Sequence, residues 1–282
     1  MKFFVTVILV VVVYTCPAQV ELPTLSPEEK INQTIGYTHF EIRYGRPAAR
    51  GRKIMGDLVK YDQLWRTGAG PCTTMQFDQP VAINHQPVAA GVYALLTIPS
   101  AGEWTVLLNS DTTKLYGAPS EYDVRREVVR FKVKPQRTGR FYESLTLDID
   151  VVNNNGLVYL SWENTQISFL IETNSYAVAK ENIRKALEKN PTNPELLASV
   201  AYYYEMNNQD LKEALKFVKT AMTLKEDWWY YQCAIDLQTK LNDRPAAIQT
   251  AKDAIVYLRK VKPDEYASLI SGFEEEIRKL KE

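Results

Sequence analysis

The stretch NGLVYLSWENTQISFLIETNSYAVAKENIRKALEK, residues 155–189, changes its hydrophobic period near Asn174. Upstream, the β-branched and aromatic runs 157–162 and 167–171 read as strands. From Ser175 onward apolar residues recur every three or four positions, and Ala, Leu, Lys and Glu take over. That is the period of an amphipathic helix. A boundary at this point predicts an all-β sandwich or barrel-like domain over residues 26–172, then an all-α helical-repeat domain over 175–282. Two domains also suit a length of 282 residues, at about 150 per domain.

Working back from the boundary, further β runs read at 73–77, 92–98, 104–108, 128–133 and 145–152. A half-buried strand carries Phe40, Ile42 and Tyr44 in alternation with His39, Glu41 and Arg43. Hairpin punctuation falls at Asn84-His85-Gln86-Pro87, at Pro99-Ser100-Ala101-Gly102 and at Asn155-Gly156. Only residues 56–65 read as a short helix within this half. Many short strands with so little helix favour a sandwich or barrel.

Working forward, helices read at 175–189, 194–206, 209–224, 228–240, 244–260 and 264–281, with Pro191, Pro194, Pro245 and Pro263 near their ends. Ala201, Ala214 and Ala221 return 33 residues later as Ala234, Ala247 and Ala254. Small residues at that period let two helices cross closely, and the pattern resembles the tetratricopeptide repeat. In that register Tyr204 and Tyr230 take packing positions, whereas Tyr202, Trp228 and Tyr231 match positions that face the groove of such arrays. Those three rings either dock a protein or peptide partner or pack against the β-domain.

The β-half holds a second set of landmarks in a fixed order. They are Arg43-Tyr44-Gly45-Arg46-Pro47, Arg50-Gly51-Arg52-Lys53-Ile54-Met55-Gly56, Trp65-Arg66-Thr67-Gly68-Ala69, Ala90-Gly91-Val92-Tyr93, Glu103-Trp104-Thr105 and Ser161-Trp162-Glu163-Asn164. This resembles domain of unknown function 2911, a family found mostly in secreted proteins of Bacteroidetes-type bacteria. The family's usual Asn after Gly-Ala is Gly70 here, so any ligand contact made by that Asn is lost. The resemblance implies a domain and no chemistry.

The N-terminus carries Lys2, an apolar run at residues 3–14, and then Cys16-Pro17-Ala18. A cationic start, an apolar core too short to span a bilayer and small residues at its end are the grammar of a secretory signal. Residues 1–18 therefore read as a signal peptide, with cleavage before Gln19 and a periplasmic or secreted product. The alternative is a lipid anchor on Cys16. No other segment is long and apolar enough to cross a membrane. With Cys16 gone, Cys72 and Cys233 remain in different domains and read as two buried free thiols.

Lys+Arg and Asp+Glu both number 34, so bulk charge points to no nucleic-acid partner. Residues 43–66 are locally rich in arginine. Guanidinium forks suit carboxylates, phosphates and sulfates, and nearby glycines let backbone N–H groups face a ligand. Arg46, Arg52, Arg66 and Thr67 thus outline a rim for a small anionic or carbohydrate ligand. Alternatively the arginines pair with Glu41, Glu163 or Asp148 and hold a long loop against the sandwich. His39 and His85 have no partner at metal-ligand spacing, and no phosphate-binding glycine loop or nucleophile elbow is present. The expectation is a binding protein with no metal and no cofactor. The alternative is an envelope hydrolase acting on glycan or peptide at the arginine rim.

Overall fold

The computed structural model describes residues 22–113, 122–261 and 264–282. The signal at 1–18, with Cys16 and Gln19, lies outside the described residues, as does Pro263. Ten strands build two antiparallel sheets: β1 Glu28–Ile35, β2 Thr38–Gly45, β3 Thr74–Phe77, β4 Val81–Ile83, β5 Gln86–Val88, β6 Gly91–Ile98, β7 Trp104–Asn109, β8 Glu127–Val133, β9 Gln136–Val152 and β10 Asn155–Thr173. One sheet runs β1-β2-β3-β6-β7-β8, the other β5-β4-β10-β9. The inner faces of both sheets share one core that includes Phe40, Ile42, Phe77, Trp104, Leu147, Leu160 and Trp162. Alternation places these side chains on one face of each strand, as a sandwich requires. Phe40 and Phe77 sit opposite each other across β2 and β3 and stack with ring centroids 6.2 Å apart. The Tyr44 hydroxyl joins the sheets: it donates to Glu29 at 3.0 Å and accepts from the Leu147 N–H at 3.1 Å. Burial pushes its pKa up.

Three local expectations change. Residues 56–65 form turns and bridges, not a helix. Gly56 and Asp62 both take positive φ, and Trp65 is drawn into a backbone bridge with Thr97. The β9–β10 turn is Asn153-Asn154, both left-handed, so Asn155-Gly156 opens β10 instead. A two-residue turn with both φ angles positive matches the twist of the flanking strands, and Asn tolerates it. The runs 157–162 and 167–171 belong to one long strand, interrupted where Glu163 adopts φ +51° and the register with β9 shifts. The hairpin at Asn84-His85 stands as expected, flanked by the short strands β4 and β5.

Six helices follow: α1 Ser175–Lys189, α2 Pro194–Met206, α3 Leu211–Leu224, α4 Trp228–Lys240, α5 Arg244–Val261 and α6 Ala267–Lys281. Asn193 and Asp227 cap α2 and α4 by accepting from the N–H groups of Leu196 and Trp229. All six repeated alanines are buried, Ala201, Ala214, Ala221 and Ala234 in one cluster and Ala247 and Ala254 in the next. The two halves meet where β10 runs into α1. There Ser175 Oγ accepts from the Tyr37 N–H at 3.1 Å, and a Cβ on Gly36 would lie 1.8 Å from the same oxygen. Asn154 donates to Asn207 at 2.8 Å. No helix among the described residues is long and apolar enough to cross a membrane. Cys72 and Cys233 are free and buried, and burial raises both thiols to about 12.

Candidate functional site

The arginine-rich segment leaves β2 at Gly45, crosses the end of the sandwich and returns at β3. Backbone packs on backbone at its start: a Cβ on Gly45 would lie 1.9 Å from the Ala69 carbonyl oxygen, and the Ala69 N–H donates to Gly45 O at 3.2 Å. Only glycine permits that approach. Farther along, Glu163 reaches under the loop and accepts from the Ile54 and Met55 N–H groups at 3.1 and 3.3 Å. Trp65 stacks on the buried Trp162 with centroids 5.9 Å apart. The Trp65 indole N–H donates to Gly68 O at 3.2 Å, and that of Trp162 to Glu143 O at 3.3 Å.

These contacts close a cavity of about 370 Å³ between Arg52, Leu58, Leu64, Trp65, Arg66 and Trp162. A volume of this size suits a small ligand. No Asp, Glu or His is among the described residues that line it. A second cavity of about 570 Å³ lies alongside, sharing Ser26 and Ala69 with the first. Gly70, Pro71 and Cys72 line this second space, with Arg43 and Glu28 across from them.

Of the four rim residues, Arg52 and Arg66 meet in the first cavity. Arg52 is aimed by two carbonyls, donating Nε to Ala49 at 3.0 Å and Nη2 to Ala48 at 2.8 Å. Arg46 does not line either cavity. It pairs with Glu29 at 2.9 Å, donates to Thr146 at 3.2 Å, and so ties β1 to β9. Thr67 is fully buried and takes φ +58°, an outlier for a β-branched residue. Its hydroxyl donates to Trp65 O and lies 3.1 Å from Thr97 Oγ1, while its carbonyl accepts from Thr73 Oγ1 at 2.8 Å. Thr67 therefore sets the bend between Arg66 and Gly68 and cannot itself reach a ligand. Of the anticipated ion pairs, Arg43 does meet Glu41 at 3.2 Å. Glu163 binds backbone instead, and Asp148 accepts from the Ile149 N–H. His85 pairs with Glu172 at the β4–β5 hairpin.

The three rings of the expected groove part company. Tyr202 is 44% exposed and leans on Trp229 at 5.7 Å. Trp228 is half-buried against the α4–α6 cluster. Tyr231 is only 7% exposed, contacts Tyr257 and donates to Glu226, because its position on α4 faces α5. Tyr231 thus lies outside any groove. Helix packing also forms a feature that the periodicity did not show: a cavity of about 720 Å³ beside α1 and α3, lined by Ile183, Leu187 and Phe217 and by charges of both signs, Lys180 and Arg184 with Glu181 and Glu213 among them. Between α4 and α6, Gln232 bridges Asp236 and Glu276, and burial raises both carboxyl groups above their ordinary values.

The model of the family described as "Protein of unknown function (DUF2911)" matches residues 26–171, just over half of the chain. The chain belongs to this family. No curated protein and no solved structure matches it. The DUF2911 match opens at Ser26, which touches both cavities, and closes at Ile171 in β10. The first cavity is thus lined entirely within the DUF2911 match, the second also by Thr24 and Leu25 just before it, and the six helices lie beyond the matched residues.

Proposed function

We propose that this is an exported binding protein whose DUF2911 domain takes a small anionic or carbohydrate ligand in the 370 Å³ cavity. The observation that carries this is the convergence of Arg52 and Arg66 with the Trp65–Trp162 pair on one concave site. Guanidinium groups supply directed donors for carboxylate, phosphate or sulfate oxygens, and an indole supplies a flat apolar wall for a sugar ring. Export rests on the N-terminal signal pattern of the sequence, with a lipid anchor on Cys16 as the other outcome of the same pattern. The helices, read as tetratricopeptide-like from the 33-residue alanine period, would dock a protein or peptide partner, with the exposed Tyr202 at that surface.

A glycan or peptide hydrolase at this rim would need a general acid and a base within reach of the bond it cleaves. The described lining supplies cations, indoles and aliphatic groups, which favours binding over hydrolysis. A screen of soluble saccharides, uronates, sulfate esters and phosphate esters against residues 19–282 tests the reading by calorimetry. At least one class should bind wild type, and Arg66→Ala should lose that binding while melting as wild type does. A screen without a hit, or a hit that Arg66→Ala leaves intact, rules the cavity out as the site.

A further inference from the structure

Beside the cavity, three cations are held in a way that leaves their charge open. Arg50 donates Nη2 to the Leu25 carbonyl at 2.6 Å, and Arg52 is held by the carbonyls of Ala48 and Ala49. Lys53 is exposed and has no ion-pair partner among the described residues. A carbonyl orients a guanidinium but does not neutralise it, in contrast to Arg46 on Glu29 or Arg130 on Glu127. A backbone N–H likewise leaves a carboxylate charged, so of the three nearby acids only Asp57 has a cationic partner among the described residues. Asp57 pairs with Lys60 at 3.6 Å, Glu143 accepts from the Arg50 N–H at 2.7 Å, and Glu163 accepts from Ile54 and Met55.

Large apolar side chains stand exposed among these cations: Leu25 at 70%, Leu58 at 46% and Tyr61 at 39%. They are contiguous with the charges. Leu25 offers its carbonyl to Arg50, Leu58 shares the cavity wall with Arg52, and the Leu58 N–H donates to Lys53 O at 3.3 Å. The Tyr61 ring lies over Gly56, where an added Cβ would come within 2.7 Å of it. Clustered exposed leucines beside unpaired cations mark an interaction surface.

We infer that this face of the DUF2911 domain docks on an anionic lipid bilayer. A soluble polyanion would satisfy the cations and leave the leucines in water. A bilayer interface takes both, the cations at the headgroups and the leucines at the acyl boundary. The chain reaches this face from its N-terminus. Cys16 precedes Leu22 by six residues, at most about 20 Å of extended chain, so a lipid there would hold the face at the membrane. One acyl chain alone binds reversibly, and a basic patch supplies the second attachment. The inference shares Arg52 and Leu58 with the cavity but not Arg66, Trp65 or Trp162, so Arg66→Ala separates the two readings.

Flotation of residues 19–282 with vesicles tests it, using phosphatidylglycerol mixed equally with phosphatidylcholine, or phosphatidylcholine alone. The protein should float only with the anionic vesicles, and less as salt is raised. Lys53→Glu, at a side chain that makes no ion pair, should weaken flotation on the order of tenfold. Leu25→Asp should weaken it at low salt also, whereas Lys189→Glu on the exposed face of α1 should change nothing. Arg66→Ala, which empties the cavity reading, should float as wild type does. Equal flotation on neutral vesicles, no flotation on either, or full flotation of Lys53→Glu would each overturn the inference. So would retention on a soluble sulfated polysaccharide that Leu25→Asp leaves undiminished.

Discussion

The arginine loop of the β-domain and the alanine crossings of the helical half both bring backbones close together, by opposite means. Along the helices the approach is repeated: small residues that recur at a 33-residue period let α2, α3 and α4 pack closely through Ala201, Ala214, Ala221 and Ala234. In the loop it happens once. Gly45 meets Ala69, Thr67 bends left-handed over Thr97, and Glu163 reaches up from β10 to two N–H groups. Repeated contacts tolerate the loss of one member better than a single interlocked set does. The loop's geometry, which aims Arg52 and Arg66, is thus the more exacting part of the molecule.

The sharpest way to break this contrast is Trp162→Ala. The ring is buried and stacks under Trp65, so its loss should cost about 3–5 kcal/mol, read as a fall in the denaturant midpoint. If the helical signal melts separately from the sheet signal in that variant, the two halves unfold independently and the Ser175 junction is weak. Next in size is overpacking of a helix crossing: Ala221→Leu should destabilise by about 1–3 kcal/mol. A neutral result would show that the crossings are looser than the buried alanines imply.

Thr67 separates strain from hydrogen bonding. Thr67→Val keeps the branched side chain at positive φ and removes the hydroxyl, and should cost about 1–3 kcal/mol. Thr67→Gly relieves the backbone while losing the same bonds, and should unfold at higher denaturant than Thr67→Val. Equal midpoints would remove strain from the account.

A smaller effect is expected between α4 and α6. Burial raises Asp236 and Glu276, so the folded state keeps protons that the unfolded chain releases. Between the ordinary and the raised pKa values, stability falls as pH increases. Glu276→Gln should therefore raise Tm at neutral pH and flatten that slope in thermal melts from acid to neutral buffer. The smallest expected change is Tyr202→Ala, below about 1 kcal/mol because the ring is 44% exposed and leans on Trp229. Tyr231→Ala beside it should be plainly destabilising, and similar values for the two would reverse their assigned places.

Much of this architecture was legible because periodicity is a local property. Strand alternation around Phe40, Ile42 and Tyr44, the six helices, and the buried alanines 33 residues apart all follow from side-chain spacing on a regular backbone. The misread segments are those where the backbone is irregular. Residues 56–65 carry helix-compatible side chains, but Gly56 and Asp62 turn the chain and Thr97 captures Trp65. Asn153-Asn154-Asn155-Gly156 contains two plausible turn pairs, and the register that pairs Asn155 with Val152 and Gly156 with Val151 leaves Asn153-Asn154 as the turn.

By itself the sequence determined a β-rich half followed by six helices, the change of period near Asn174 and the concentration of arginine at residues 43–66, while the short strands β4 and β5 and the start of β9 at Gln136 were not legible in it. Only the tertiary structure decided which arginines share a cavity, that Arg46 braces β1 against β9, that Thr67 is buried and that Tyr231 turns toward α5. The physical reason is that spacing fixes which face of its own element a residue occupies. What that face meets depends on contacts across the fold, such as Gly45 on Ala69 or Trp65 on Trp162, which no local pattern encodes.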